Sequence, residues 1–216
     1  MKSRARTNEL PCGKPRGIGG NRLLSAASDG VLDPRQNKLN CPELDDLFQE
    51  HGYTDYKWIN PPEIVVAQWV RMKCMFGCGW YGVKATCPPN TPTVAECERF
   101  FSEYRAGAIF HFQKKVKNFS EHHAWAKKEN AKLAGLERAV FLAGFERAFL
   151  LNMTTCLACR DCAGDLAKCQ NPPLARPTPE GMAVDVYSTA RKFGFPLQVL
   201  PDYEHAMDRY AILLVQ

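Results

Sequence analysis

Apolar positions along the chain recur at a few spacings that assign elements before any chemistry is considered. Leu44, Leu47 and Phe48 share one face of a short helix opened by Cys41-Pro42, with Cys41 at the N-cap, Pro42 in the first helical position and an end near Gly52. From Tyr53 to Trp69 the pattern changes to short β-prone runs, Tyr56-Lys57-Trp58-Ile59 and Ile64-Val65-Val66, broken by Pro61-Pro62. Thr93 and Glu96 form a capping box that starts a second helix. Its stripe of Val94, Cys97, Phe101 and Tyr104 makes Cys97 core filler. Ala108 to Phe112 is a strand. Asn118 with Glu121 caps a long helix that buries Leu133, Leu136, Val140 and Ala143 and stops at Gly144. Ala148 to Leu151 is a buried strand that delivers the chain into a group of cysteines.

Beyond that group a proline-rich loop (Pro172, Pro173, Pro177, Pro179) leads to Thr178-Pro179, which is expected to cap a fourth helix. That helix carries the stripe Met182, Val186, Ala190 and Phe193, cations Arg191 and Lys192 in its last turn, and Gly194 just past its end. Closing strands are expected at 197–200 and 210–215. Residues 1–40, with Gly17, Gly19 and Gly20 and no apolar period, form an irregular basic arm. Residues 41–216 are expected to form one α+β domain, a mixed sheet covered by helices with cysteine-rich metal-binding loops. No internal repeat, dinucleotide-binding or phosphate-loop glycine motif, or Gly-x-Ser-x-Gly is present.

Composition narrows the class. The 216 residues are 45% hydrophobic, 24% charged and 11% aromatic, ordinary for a soluble globular protein. No apolar run approaches the roughly 18 residues of a spanning helix, and the first residues lack the apolar stretch of a secretory signal. A cytoplasmic protein without a membrane partner is expected. The net charge of +5 is carried by the first 38 residues, and the rest of the chain balances, so nucleic acid is a poor candidate partner. Lys114, Lys115, Lys117, Lys127, Lys128 and Lys132, diluted by Glu121 and Glu129, fit a solvated helix face. The adjacent His122 and His123, at the start of the same helix, are expected to face solvent.

Ten cysteines carry the chemistry, and seven of them are clustered. In a reducing compartment, clustered thiols bind metal more often than they form disulfides. Cys156, Cys159 and Cys162 follow a C-x2-C-x2-C pitch, which turns successive thiolates toward one face of a cubane, and Cys169 closes the set. The run matches the first three positions of a bacterial ferredoxin motif and differs in the distance to the fourth cysteine and its proline. Zinc is the structural alternative, since four-thiolate sites are built from C-x2-C pairs, and incidental free thiols are a third. Spacing alone does not separate iron from zinc.

The other group, Cys74, Cys78 and Cys87 followed by Pro88-Pro89, provides three thiolates in a loop whose Gly77, Gly79 and Gly82 leave room for a bulky cluster. It can hold a 4Fe-4S cluster with one open iron, take a fourth ligand from Cys41, His111 or Cys12, or share one site with the second group. Its spacing does not fit C-x3-C-x2-C. Arg71, Lys73, Arg160 and Arg176 flank the cysteines and can offset the negative charge of a thiolate-bound cluster.

Val70-Arg71-Met72-Lys73-Cys74, Cys78, Cys87-Pro88-Pro89, Leu136-Glu137-Arg138, the run from Cys156 to Cys169, Arg176-Pro177-Thr178 and Asp185-Val186 together resemble a family of predicted metal-binding proteins, domain of unknown function 2284. The resemblance spans about residues 45 to 200 and implies that all seven clustered cysteines are metal-site residues. The expectation is a cytoplasmic iron-sulfur protein with one or two 4Fe-4S clusters, acting as an electron-transfer or accessory redox module with a redox partner protein. The alternatives are an enzyme using an open iron at the three-cysteine site and a zinc-stabilised interaction module.

Overall fold

In the computed structural model, residues 42–200 and 205–216 are described. The basic arm, Cys12 and Cys41 lie outside the described residues. Helix α1 spans Pro42–Glu50, followed by strand β1 (Tyr56–Ile59) and helix α2 (Gln68–Gly77). Then come α3 (Val94–Ser102), β2 (Gly107–Lys114), the long α4 (Phe119–Leu142), β3 (Phe149–Leu151), α5 (Val186–Lys192) and β4 (Met207–Leu214).

The four strands form one sheet in the order β1-β2-β4-β3. All three pairings are antiparallel, so the expected α+β domain holds, with an antiparallel rather than a mixed sheet. The central strands alternate sides with a period of two. Ala108, Phe110, Ala211 and Leu213 face a core shared with Leu44 and Phe48 of α1 and with Leu133, Leu136 and Val140 of α4. Ile109, Tyr210, Ile212 and Leu214 face a second core with Cys97 and Phe101 of α3 and Ala190 of α5. A sheet covered on both faces explains the unbroken apolar runs of β2 and β4, because neither face has to meet water. Gly107 sits where the chain passes closest to β4: a Cβ there would lie 3.1 Å from the Leu213 carbonyl oxygen.

The caps follow the sequence closely. Thr93 and Glu96 form the full capping box of α3, and the Asn118 side chain accepts from the Glu121 N–H at the start of α4. Three expectations need correction. The stripe from Met182 to Phe193 is not one helix, because Ala183 adopts a left-handed conformation with φ 59° after a 3-10 turn at Glu180–Met182. Asp185 then starts α5 afresh, its side chain accepting from the Ser188 N–H. No strand forms at 197–200, and the closing strand begins earlier than expected, at Met207. His122 is buried, with its ring 5.9 Å from that of Trp125, because the first turn of α4 folds down onto the domain instead of projecting from it.

Candidate metal centre

Helix α2 delivers the first cysteine. Val70 and Arg71 are its buried residues, and the Arg71 guanidinium donates to Thr91 Oγ1 at 2.7 Å and to the Pro92 carbonyl at 2.8 Å. Trp69, Met72 and Phe76, spaced at i, i+3 and i+7, face outward instead. Cys74 sits in the last turns of α2 and Cys78 just past its end. Tight backbone turns then return the chain to Cys87, with the Cys87 N–H donating to the Lys84 carbonyl and the Gly82 N–H to the Pro88 carbonyl.

The second group leaves the end of β3. The Asn130 side-chain amide of α4 holds the carbonyls of Thr154 and Thr155, each at 3.2 Å, while Met153 and Leu157 plug into the core beneath. Cys156 is thereby fixed at the root of the loop. On the far side of the loop Gly164 takes φ 71°, and its carbonyl accepts from Asn90 at 2.9 Å. Asp165 caps the 3-10 turn Leu166–Lys168, which presents Cys169. A buried ion pair anchors the exit: Arg176 Nε donates to both carboxylate oxygens of Glu137 at 2.8 Å, and Glu137 also accepts from the Leu150 N–H.

The two groups line two neighbouring cavities. Cys156, Cys159, Cys162 and Cys169 line a cavity of about 20 Å³ closed on one side by Lys84, Ala85 and Thr86. Cys74, Cys78 and Cys87 line another of about 280 Å³, together with Tyr81, Thr154, Thr178, Glu180 and Arg209. Thr155 and Cys156 form the partition, with Thr155 Oγ1 3.2 Å from Cys87 Sγ. Thr154, three residues past the end of β3, and Arg209 of β4 line this same cavity.

Polar hydrogens are already aimed at sulfur. The Ala85 N–H donates to Cys162 Sγ at 3.3 Å and Asn171 Nδ2 to Cys159 Sγ at 3.0 Å. Burial pushes the thiols of Cys74, Cys87 and Cys156 above the ordinary value. Burial acts the same way on Cys162, but the N–H groups of Ala85 and Gly164 and the charge of Lys84 outweigh it and bring that thiol down.

The cations at the thiols are only partly those expected from the sequence. Arg71 is held by the bonds above and still acts on Cys74, where its charge opposes the rise caused by burial; Arg176 is committed to Glu137, and Lys73 and Arg160 are exposed. Lys84 is only 6% exposed, rests its Nζ 4.9 Å over the Trp80 ring, and has no carboxylate partner among the described residues. Arg209 lines the larger cavity, and its side chain likewise makes no ion pair or hydrogen bond among the described residues. Lys84 stands between Cys78 and Cys87, where a lysine inside a thiol cluster was a legible signal. Arg209 lies far along the chain, and only the sheet register brings it in.

The donor set fits a metal-thiolate group: seven thiols in two cavities, N–H donors on sulfur, and two cations awaiting an anion. Among the described residues no three His, Cys, Asp or Glu side chains are placed to hold a metal ion as they stand. Three residues are the sequence's candidates for a fourth ligand at Cys74, Cys78 and Cys87. His111 is held between Asp55 at 2.7 Å and Asp208 at 2.8 Å and lines neither thiol cavity, while Cys12 and Cys41 are outside the described residues. Cys97 is fully buried beneath α3, as its stripe predicts. No helix among the described residues is long and apolar enough to cross a membrane.

An α+β domain that gathers its thiols into two adjoining cavities has the make-up of a cysteine-rich metal-binding protein. Residues 57–215 match the family described as predicted metal-binding protein (DUF2284), and the chain belongs to that family. No curated protein and no solved structure matches the chain.

Proposed function

We propose that this is an iron-sulfur protein, with a 4Fe-4S cluster at Cys156, Cys159, Cys162 and Cys169 and a second metal group at Cys74, Cys78 and Cys87, serving electron transfer with a redox partner protein. The observation that carries this reading is the convergence of the C-x2-C-x2-C-x6-C thiols on one cavity with N–H donors on Cys162 and Cys159. Hydrogen bonds to sulfur and nearby positive charge are the means by which a protein sets a cluster's potential. Lys84 supplies the charge at the partition between the two cavities.

The four-thiol cavity admits about one water-sized sphere, so a cubane requires the loop to open outward whereas a lone zinc ion requires the thiols to draw together. Arg160, Asp161 and Ala163 are exposed, so that stretch can move outward while Leu157 stays anchored. Bound there, a cubane supplies one-electron chemistry. The chain's own part is to hold it, screen its charge with Lys84 and donate N–H groups to its thiolates.

A second reading, an enzyme with an open metal position at the three-thiol site, is favoured by the roomier cavity there. The test is iron, acid-labile sulfide and zinc per chain on anaerobically purified protein, with visible absorption and EPR before and after dithionite. About four irons and four sulfides indicate one cubane, and about eight of each indicate two. Zinc without sulfide in colourless protein overturns the redox reading and leaves a zinc-stabilised interaction module.

A further inference from the structure

We propose that the cavity beside Cys74, Cys78 and Cys87 binds a small carboxylate, with Arg209 as its anchor and the hydroxyls of Tyr81, Thr154 and Thr178 as its donors. The proposal deepens the open-position reading, and rests on it for the ligand's approach to the metal.

Space is the first argument. After the three thiols are accounted for, the cavity still measures about 280 Å³, just below the range of roughly 300 to 1,000 Å³ usual for small-molecule sites. That space suits a compound of a few carbons.

Unspent polar groups are the second. Arg209 presents a planar fork of N–H donors suited to two carboxylate oxygens at once. Tyr81 and Thr154 make no side-chain hydrogen bond among the described residues, and Thr178 accepts from the Gly181 N–H, leaving its own proton free. An arginine and three hydroxyl-bearing residues lining one space, beside a metal that would have three protein ligands, suit an oxygen-rich anion.

Glu180 also lines the cavity and is exposed at its edge. Its charge repels an anion, so the carboxylate is directed inward to Arg209 and the ligand's other end outward. A phosphate, with charge on every side, cannot avoid Glu180 in this way. The favoured class is therefore a short carboxylate, and a compound with a hydroxyl or amine that can face Glu180 fits better than one without.

The test is calorimetric titration of the full chain with acetate, lactate and inorganic phosphate, with the metal content of each sample measured alongside. Acetate and lactate are expected to bind, lactate the tighter. Arg209→Gln should weaken lactate roughly tenfold through the lost charged hydrogen bonds. Tyr81→Phe should weaken it roughly threefold, which keeps the test usable if the Arg209 variant does not fold. Glu180→Gln should tighten acetate and narrow the advantage of lactate over it. Lactate binding that is absent, that is indifferent to both Arg209→Gln and Tyr81→Phe, or that is weaker than phosphate overturns the subsite. The metal reading fails separately, by elemental analysis: a Cys159→Ser protein, which retains the three-thiol set, would then contain no metal. Arg209-dependent lactate binding in such a protein supports the subsite without the metal.

Discussion

The four-thiol cavity is walled almost wholly by one loop and the strip from Lys84 to Thr86, and its about 20 Å³ leave no room for a substrate. The three-thiol cavity, on the other side of Thr155 and Cys156, has about 280 Å³ and draws its wall from α2, the turns that follow it, the end of β3, the loop before α5 and Arg209 of β4. The same residue type thus serves two different ends. Four thiolates saturate a centre and suit it to storing or passing charge, whereas three leave a position that the surrounding wall can use. In the proposed reading, two centres against one partition would let the second act as a source or sink of electrons for the first.

The comparison can be broken most severely at the Glu137–Arg176 pair, which ties the exit of the four-thiol loop to α4. Glu137 is 5% exposed, so Arg176→Leu leaves a buried carboxylate with only the Leu150 N–H to face it. Losing one partner of such a pair costs about 3 kcal/mol. Urea unfolding should show that loss, and metal analysis should show the four-thiol site depleted with the three-thiol site retained. Equal depletion at both sites would mean that the loop and α2 are one cooperative unit.

Next in size is the contrast between Cys159→Ser and Cys78→Ser. Each should remove the metal of its own cavity and spare the other, because the two sets line separate spaces. Cys159→Ser is expected to abolish the visible spectrum of a cubane and lower the melting temperature, since metal binding is linked to folding. Cys97→Ala is the control, its thiol buried beneath α3 and pointed at neither cavity. If either site variant loses all metal, the two cavities are a single centre and the partition at Thr155 has no functional meaning.

How much of this was legible follows from where each signal is written. Caps and buried stripes are local: Thr93 with Glu96, Asn118 with Glu121 and the run to Val140 all stand in the structure as the sequence implies. The Cys156 to Cys169 set was legible for the same reason, four ligands within one loop. Helix α2 was missed because Trp69, Met72 and Phe76 face outward, so no apolar stripe points to the core, and its glycines suggested a loop. The split at Ala183 was missed because Met182, Val186 and Ala190 keep helical spacing across a left-handed residue, all three packing on the second core from two separate elements. Arg209 was invisible for a different reason. Its role depends on β3 pairing with β4, a long-range register that no short stretch of sequence records.

The smallest and most discriminating effect concerns Lys84, which lines the four-thiol cavity and whose charge reaches one thiol of each group. Its charge is buried with no carboxylate partner among the described residues, and it acts on Cys87 as well as Cys162. A cation in that position costs stability while the thiols are neutral and regains it once a metal turns them into thiolates. Lys84→Met should therefore change the metal-free and metal-loaded proteins in opposite directions, stabilising the former and destabilising the latter by about 1 kcal/mol each. Thermal unfolding of chelator-treated and loaded protein checks the sign. A loss of the same size in both states would show that the lysine stem merely packs against Trp80, whereas opposite signs would identify Lys84 as the counter-charge that the two anionic centres share.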